Sequence, residues 1–140
     1  MPLGGRKLSI EEALALCYAV GFRGGQLTRA VALMTAESGR YVEAYNVNAT
    51  EGGVDSTLIF SIDRGLFQIN TLHISVGMAE SFKAVPNAMF TFQLSDSGTD
   101  FTPWMAFVND AHVKFMDQVK AVRNKDEWRE LVPTILEELA

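Results

Sequence analysis

With a single cysteine, Cys17, the chain cannot close a disulfide on itself, and its stability must come from packing. Cys17 lies in an apolar helical stretch with Leu14, Leu16 and Val20, and it reads as a buried, inert thiol rather than a nucleophile. Histidine is scarce as well: His73 and His112 are far apart, and no paired His/Cys spacing suggests a zinc site. Neither a metal nor an organic cofactor is expected. Basic residues are outnumbered, with 12 Lys+Arg against 17 Asp+Glu and a net charge of -5. That balance argues against a nucleic-acid partner, because phosphate contacts need a basic face. It also gives no general pull toward an anionic cell wall, so any such affinity must come from a local groove or another module. No run approaches the ~20 apolar residues of a membrane span. The start Met1-Pro2-Leu3-Gly4-Gly5-Arg6-Lys7 lacks the apolar core and cleavage site of a secretory signal. The expectation is synthesis in the cytoplasm, with delivery by another agent if the protein acts outside.

What is present suits one globular domain over residues 1–140, with 48% hydrophobic and 21% charged residues. Residues 124–140 read as its C-terminal part or as a link to a larger protein. Ser9-Ile10-Glu11-Glu12 is a capping box opening a helix through Ala13–Val20, with Gly21 as its stop. A second helix is expected from about Gln26 to Ser38, ending near Gly39. Asn46, Asn48, Thr50, Gly52, Gly53, Asp55 and Ser56 mark turns, and Thr57-Leu58-Ile59-Phe60 has strand composition. Gly65 suits a tight turn or a close backbone approach. Residues 79–84 suit a short helix, and Pro86 suits N1 of another over Asn87–Asp96 that stops at Gly98. Asn109 or Asp110 is expected to cap a long helix through Arg123, with Ala111, Phe115, Val119 and Val122 as its buried stripe. The tail reads as short helices interrupted at Pro133, with Trp128 as an anchor. The fold class is α+β, mostly helical, with a small β-hairpin.

One carboxyl group stands out. Glu37 extends the apolar stripe Leu27, Ala30, Val31, Met34 in the last turn of its helix. Burial disfavours its charged form, and the helix C-terminus is the negative end of the dipole. A carboxylic acid kept neutral can act as a general acid. Asp63 lies downstream in a polar, glycine-flanked segment where it is expected to stay ionised. Two carboxyl groups in opposed environments are what glycosidic bond cleavage requires.

Ala36-Glu37-Ser38-Gly39, a turn-rich segment and then Gly65-Leu66-Phe67-Gln68-Ile69-Asn70 resemble the lysozyme-like superfamily of animal lysozymes, soluble lytic transglycosylases and phage wall enzymes. Pro86-Asn87 followed by Ser97-Gly98-Thr99 and Trp104 resembles the transglycosylase branch, while Ser61-Ile62-Asp63-Arg64-Gly65 resembles animal-type lysozymes. The resemblance implies a sugar groove, Glu37 as catalytic acid, Asp63 as second carboxylate, and Ser38, Gln68, Asn70 and Asn87 near substrate. It makes Tyr45 and Trp104 candidate groove walls. Bland readings stand beside these. Asp63 could be a turn residue or pair with Arg64 or Arg40, Gln68 could satisfy turn backbone, Asn70 could cap a helix, and Trp104 could be core.

The implied activity is cleavage of the β-1,4 link between N-acetylmuramic acid and N-acetylglucosamine in peptidoglycan strands, by hydrolysis or by a lytic transglycosylase route to 1,6-anhydro products. A monomeric phage endolysin or tail-associated lysin, acting at the bacterial cell wall, fits the small size and lack of disulfides. A non-catalytic glycan-binding or structural phage tail domain is the alternative of another class.

Overall fold

The computed structural model describes residues 4–49, 60–71, 73 and 78–140. Helix α1 (Ile10–Val20) is its axle. Ile10, Ala13, Leu14, Ala15, Leu16 and Cys17 are all buried, the all-round burial of a helix enclosed by others. The capping box forms as expected: Ser9 Oγ accepts from the Glu12 N–H at 3.0 Å, and Glu12 Oε1 accepts from the Ser9 N–H at 2.9 Å. Burial drives the Cys17 thiol far above its ordinary pKa, leaving it protonated.

Helix α2 (Gly24–Ser38) starts slightly before the expected Gln26. It buries Leu27, Ala30, Val31, Leu33 and Met34 against α1, and ends where Gly39 turns left-handed (φ 63°) and donates its N–H to Thr35 O. A three-stranded antiparallel sheet follows in the order β1 (Tyr45–Ala49), β2 (Phe60–Arg64), β3 (Ile69–Asn70). Asn46 and Asn48 are strand residues, not the turn markers their composition suggested. Thr50, Gly52, Gly53, Asp55, Ser56 and the expected strand residues Thr57, Leu58 and Ile59 lie outside the described residues.

Beyond the sheet come α3 (Met78–Ser81) and α4 (Ala84–Leu94). Pro86 is inside the first turn of α4 rather than at its first position. The imino acid fits there because the Asn87 N–H, donating to Lys83 O at 3.1 Å, is the first the helix needs. The long helix expected to be capped at Asn109 or Asp110 is α6 (Val113–Asn124), which starts later than expected and is preceded by a separate short helix, α5 (Met105–Val108). Asn109 Oδ1 accepts from the Ala111 N–H at 3.1 Å and Asp110 turns left-handed, so these residues form the break instead of a cap. Of the expected stripe only Val119 is fully buried; Phe115 and Val122 are half-buried against the core. A 3-10 segment (Glu127–Leu131) and α7 (Val132–Glu138) pack back onto α1, burying Trp128 and Ile135. Pro133 sits in the first turn of α7, opening that helix rather than interrupting it. No helix among the described residues is long and apolar enough to cross a membrane.

Among the described glycines, Gly65 is the most closely packed. Its φ is 75°, and a Cβ there would clash with Ser81 O and Asn87 Nδ2. Gly65→Ala should therefore lower stability by about 2 kcal/mol or more. Gly25→Ala, with open space around its would-be Cβ, should leave stability unchanged or raise it by about 0.5 kcal/mol. Urea unfolding midpoints of the two variants check this; equal losses would contradict it.

Candidate active site

The end of α2, the sheet and the turn before α5 enclose a cavity of about 230 Å³ lined by Glu37, Asp63, Gln68, Ile69, Asn70, His73, Leu94, Pro103, Trp104 and Met105. Helix α2 turns its apolar stripe into the core, and Glu37 continues that stripe to the point where it opens on the cavity. The Glu37 carboxyl is pushed up from 4.5 to about 7. Desolvation is the main cause and the negative charge of Asp63 the second, while a hydrogen bond from the backbone N–H of Ala106 pulls the other way.

Asp63 has a different setting. The register pairs Asn46 with Asp63, Asn48 with Ser61, and Asp63 with Asn70. Side chains alternate along a strand, so these five polar residues share one sheet face. Asn48 Nδ2 donates to Asp63 Oδ2 at 2.8 Å, and Asn70 Nδ2 donates to Asp63 Oδ1 at 2.9 Å. Asn46 Nδ2 supports Asn48 Oδ1 at 3.1 Å, and Asn70 Nδ2 also reaches Ser61 Oγ at 3.0 Å. Asp63 thus rests on an amide platform that fixes its orientation and feeds both oxygens.

A buried knot sets the distance of this platform from α4. In the Gly65–Gln68 turn, the Gly65 N–H donates to Ala44 O at 2.7 Å. Gln68 is left-handed (φ 51°), and its Nε2 donates to Ala44 O at 3.0 Å and Gly65 O at 2.9 Å. Asn87 is fully buried; its Nδ2 donates to Arg64 O at 3.0 Å and Ser81 O at 2.8 Å, and its Oδ1 accepts from the Phe67 N–H at 3.0 Å. Trp104 Nε1 donates to Phe67 O at 2.9 Å, locking the indole as one cavity wall. Arg64, also buried, donates Nε to Ile69 O at 3.1 Å and Nη2 to Asn70 O at 3.2 Å.

The structure therefore brings Glu37, Asp63, Gln68, Asn70 and Trp104 to one cavity. It does not bring Ser38, Tyr45 or Asn87 there. Ser38 is fully buried, with its Oγ donating to Met34 O at 3.1 Å and accepting from the Arg40 N–H at 3.1 Å. Asn87 has its amide group spent on backbone, so both act as braces in place of the expected sugar contacts. Tyr45 precedes Asn46 in β1 and so lies on the opposite sheet face from Asp63. Asn70 ends β3 and caps no helix. Sequence reasoning missed Asn46, Asn48, Pro103, Met105 and the Ala106 N–H. The alternations Asn46-Val47-Asn48 and Ser61-Ile62-Asp63 were the available signal for the platform. His73 lines the cavity with its ring edge-on to Phe90 at 5.6 Å, while His112 is buried and stacks on Phe107 at 4.8 Å. No metal-suited cluster of His, Cys, Asp and Glu occurs among the described residues.

A family model described as a lysozyme-like domain matches residues 14–106, a span that includes every residue lining this cavity. No curated protein and no solved structure matches the chain. A lysozyme-like domain points to peptidoglycan as substrate and to a glycosidase or transglycosylase activity.

The raised pKa of Glu37 has a consequence for stability. Its folded-state value lies above its unfolded value, so the contribution is fully present below about 4.5 and is lost as pH rises through about 7. Glu37→Gln, which cannot ionise, should match the wild type near pH 4 and become the more stable of the two at pH 8–9. Thermal melts across that range check it, and a difference independent of pH would mean that Glu37 titrates as an ordinary carboxyl.

Proposed function

Since the chain belongs to the lysozyme-like domain family, we propose that it hydrolyses the β-1,4 bond between N-acetylmuramic acid and N-acetylglucosamine, with Glu37 as general acid and Asp63 as second carboxylate. The observation that carries this reading is the contrast between the two groups across one cavity. Glu37 is desolvated and pushed up to about 7, while Asp63 is seated on amide donors. Neutral Glu37 protonates the leaving glycosidic oxygen, and positive charge builds on the sugar ring as the bond breaks. Asp63 stabilises that cation or attacks it; water then completes hydrolysis, with Glu37 returning as base. Gln68, Asn70 and Trp104 shape the sugar site. No step needs a metal or a redox partner.

Asp63 also favours a hydrolase over the runner-up, a lytic transglycosylase. In that route the muramic acid's own 6-hydroxyl attacks, and no second carboxylate is needed. The wider setting proposed is a phage endolysin or tail-associated lysin, a reading supported by the lysozyme-like core and by a single cysteine that can form no internal disulfide.

Mass spectrometry of peptidoglycan digests tests the reading. The wild type should release muropeptides with reducing ends, and Glu37→Gln should be slower by about 100- to 10,000-fold. Anhydro-muropeptides, lighter by one water, would instead support the transglycosylase. No products from several wall types would leave a non-catalytic glycan-binding domain. The alkaline limb of the pH–rate profile should fall near pH 7 with ionisation of Glu37, and Asp63→Asn should move the underlying pKa lower by removing the second-largest cause of its elevation. An unmoved pKa would contradict the coupling.

A further inference from the structure

A second cavity, of about 480 Å³, opens at the other end of α2, with Tyr18, Arg23, Arg123, Asp126, Trp128 and Arg129 among its walls. Gly24 opens α2 and Glu37 sits in its last turn, so at 1.5 Å per residue the two cavities are about 20 Å apart.

Its three guanidinium groups are fixed in place, Arg129 by an ion pair with Asp126 and Arg23 and Arg123 by neutral acceptors. Arg23 lies 3.6 Å from the centroid of the Tyr18 ring, and its Nη1 donates to Tyr18 O at 2.6 Å and Phe22 O at 2.9 Å. Arg123 Nη1 donates to Gly24 O at 2.6 Å and Thr28 Oγ1 at 2.7 Å, while Arg123 O accepts from Trp128 Nε1 at 2.9 Å. Arg129 packs over Trp128 at 4.6 Å and donates Nε to Asp126 Oδ1 at 3.0 Å. Among the described residues, Asp126 is the one carboxylate in the lining. Among the described residues, neither Arg23 nor Arg123 has a carboxylate within ion-pair distance. Each fork bonds through a single nitrogen, Nη1 of Arg23, Nη1 of Arg123 and Nε of Arg129 in the contacts above, and a guanidinium carries further N–H donors that a ligand can use.

The placement runs against local electrostatics. These cations gather at the positive end of the α2 dipole, and the first turn of α2 has no acidic residue to offset them. Among the described residues, would-be Cβ atoms on Gly24 and Gly25 meet nothing within 4 Å, which leaves the approach to the first turn open. A chain of net charge -5 thus concentrates three arginines against one aspartate in a preformed cavity.

We propose that this cavity binds phosphodiester groups of an anionic cell-wall polymer and so anchors the acidic domain to its substrate layer. The proposal rests on the reading of the chain as a wall enzyme. Phosphate fits better than carboxylate because forks from three separate segments line the same cavity. A phosphate offers oxygens in several directions, whereas a carboxylate offers two in one plane. The cavity is larger than a lone oxyanion needs, leaving room for the polyol or sugar on either side.

Calorimetric titration of polyglycerol phosphate at low ionic strength tests it. The wild type should bind, and added salt should weaken binding. The double variant Arg23→Gln/Arg129→Gln should lose about tenfold or more in affinity. Asp126→Asn should bind more tightly than wild type, and asparagine tolerates the left-handed backbone at that position (φ 63°). This variant keeps the test decisive if the arginine pair proves needed for folding. No wild-type binding, or one affinity for all three proteins, would overturn the proposal. So would inorganic phosphate matching the polymer per phosphate group, which marks a plain anion site, or DNA binding as tightly. Digestion of walls stripped of phosphate polymer should be unchanged in the double variant. Turnover without polymer binding overturns only this site, and polymer binding without turnover overturns only the muramidase reading.

Discussion

The buried side chain of Asn87 is the contact on which the site geometry depends. One amide group ties α4 to Arg64 and Ser81 through their carbonyls and to Phe67 through its N–H. The tied segment begins just after Asp63 and includes Gly65, whose lack of a Cβ lets Ser81 and Asn87 approach. Leaving any of these buried groups unpaired would cost about 1–3 kcal/mol. The turn is therefore specified by complementarity: an amide with two donors and one acceptor meets two carbonyls and one N–H. From that fixed turn the chain leaves as β3, which delivers Asn70 to Asp63. Trp104 clips to the same turn through Phe67 O, so one wall of the cavity is set by the same knot.

The opposed settings of the two carboxyl groups follow from the elements that carry them. A strand at this sheet face surrounds Asp63 with amides at matched register, and each polar neighbour needs another to satisfy it. Glu37, at a helix end, accepts from the backbone N–H of Ala106, brought in from α5, and that bond opposes but does not cancel the effects of burial and of Asp63. Helix and sheet thus divide the work: one holds a carboxyl that resists ionisation, the other a carboxyl held in place by two amide donors.

Much of the helical scaffold was legible because its signals are local. The capping box at Ser9, the glycine stop at Gly39 and the apolar stripe ending at Glu37 are written within a few residues of where they act. The site residues were legible to the extent that they share a short motif, and Glu37, Asp63, Gln68, Asn70 and Trp104 converge on one cavity. Asn87 and Ser38 were expected at the sugar, but their burial is decided by segments remote in sequence. Asn46 and Asn48 resembled turn residues by type; their strand role depends on pairing with β2, which composition does not encode. The break at Asp110 was hidden for the same reason: a helix cap and an Asx turn use the same residues.

Helix α2 is out of step with its own dipole at both ends. Its negative end holds Glu37, and its positive end gathers Arg23 and Arg123. A helix selected for stability alone would reverse these signs, each favourable placement being worth about 0.3–1 kcal/mol. Violations of local rules concentrate where function needs them. At the Glu37 end the mismatch has a chemical use, since an acid that resists ionisation keeps its proton for a leaving oxygen. At the arginine end the same logic applies with the sign exchanged: cations facing exposed helical N–H groups form a field that an anion relieves. The two ends share one rigid rod of 15 residues, so an anion held at the first turn would fix the domain while leaving the Glu37 cavity open to glycan.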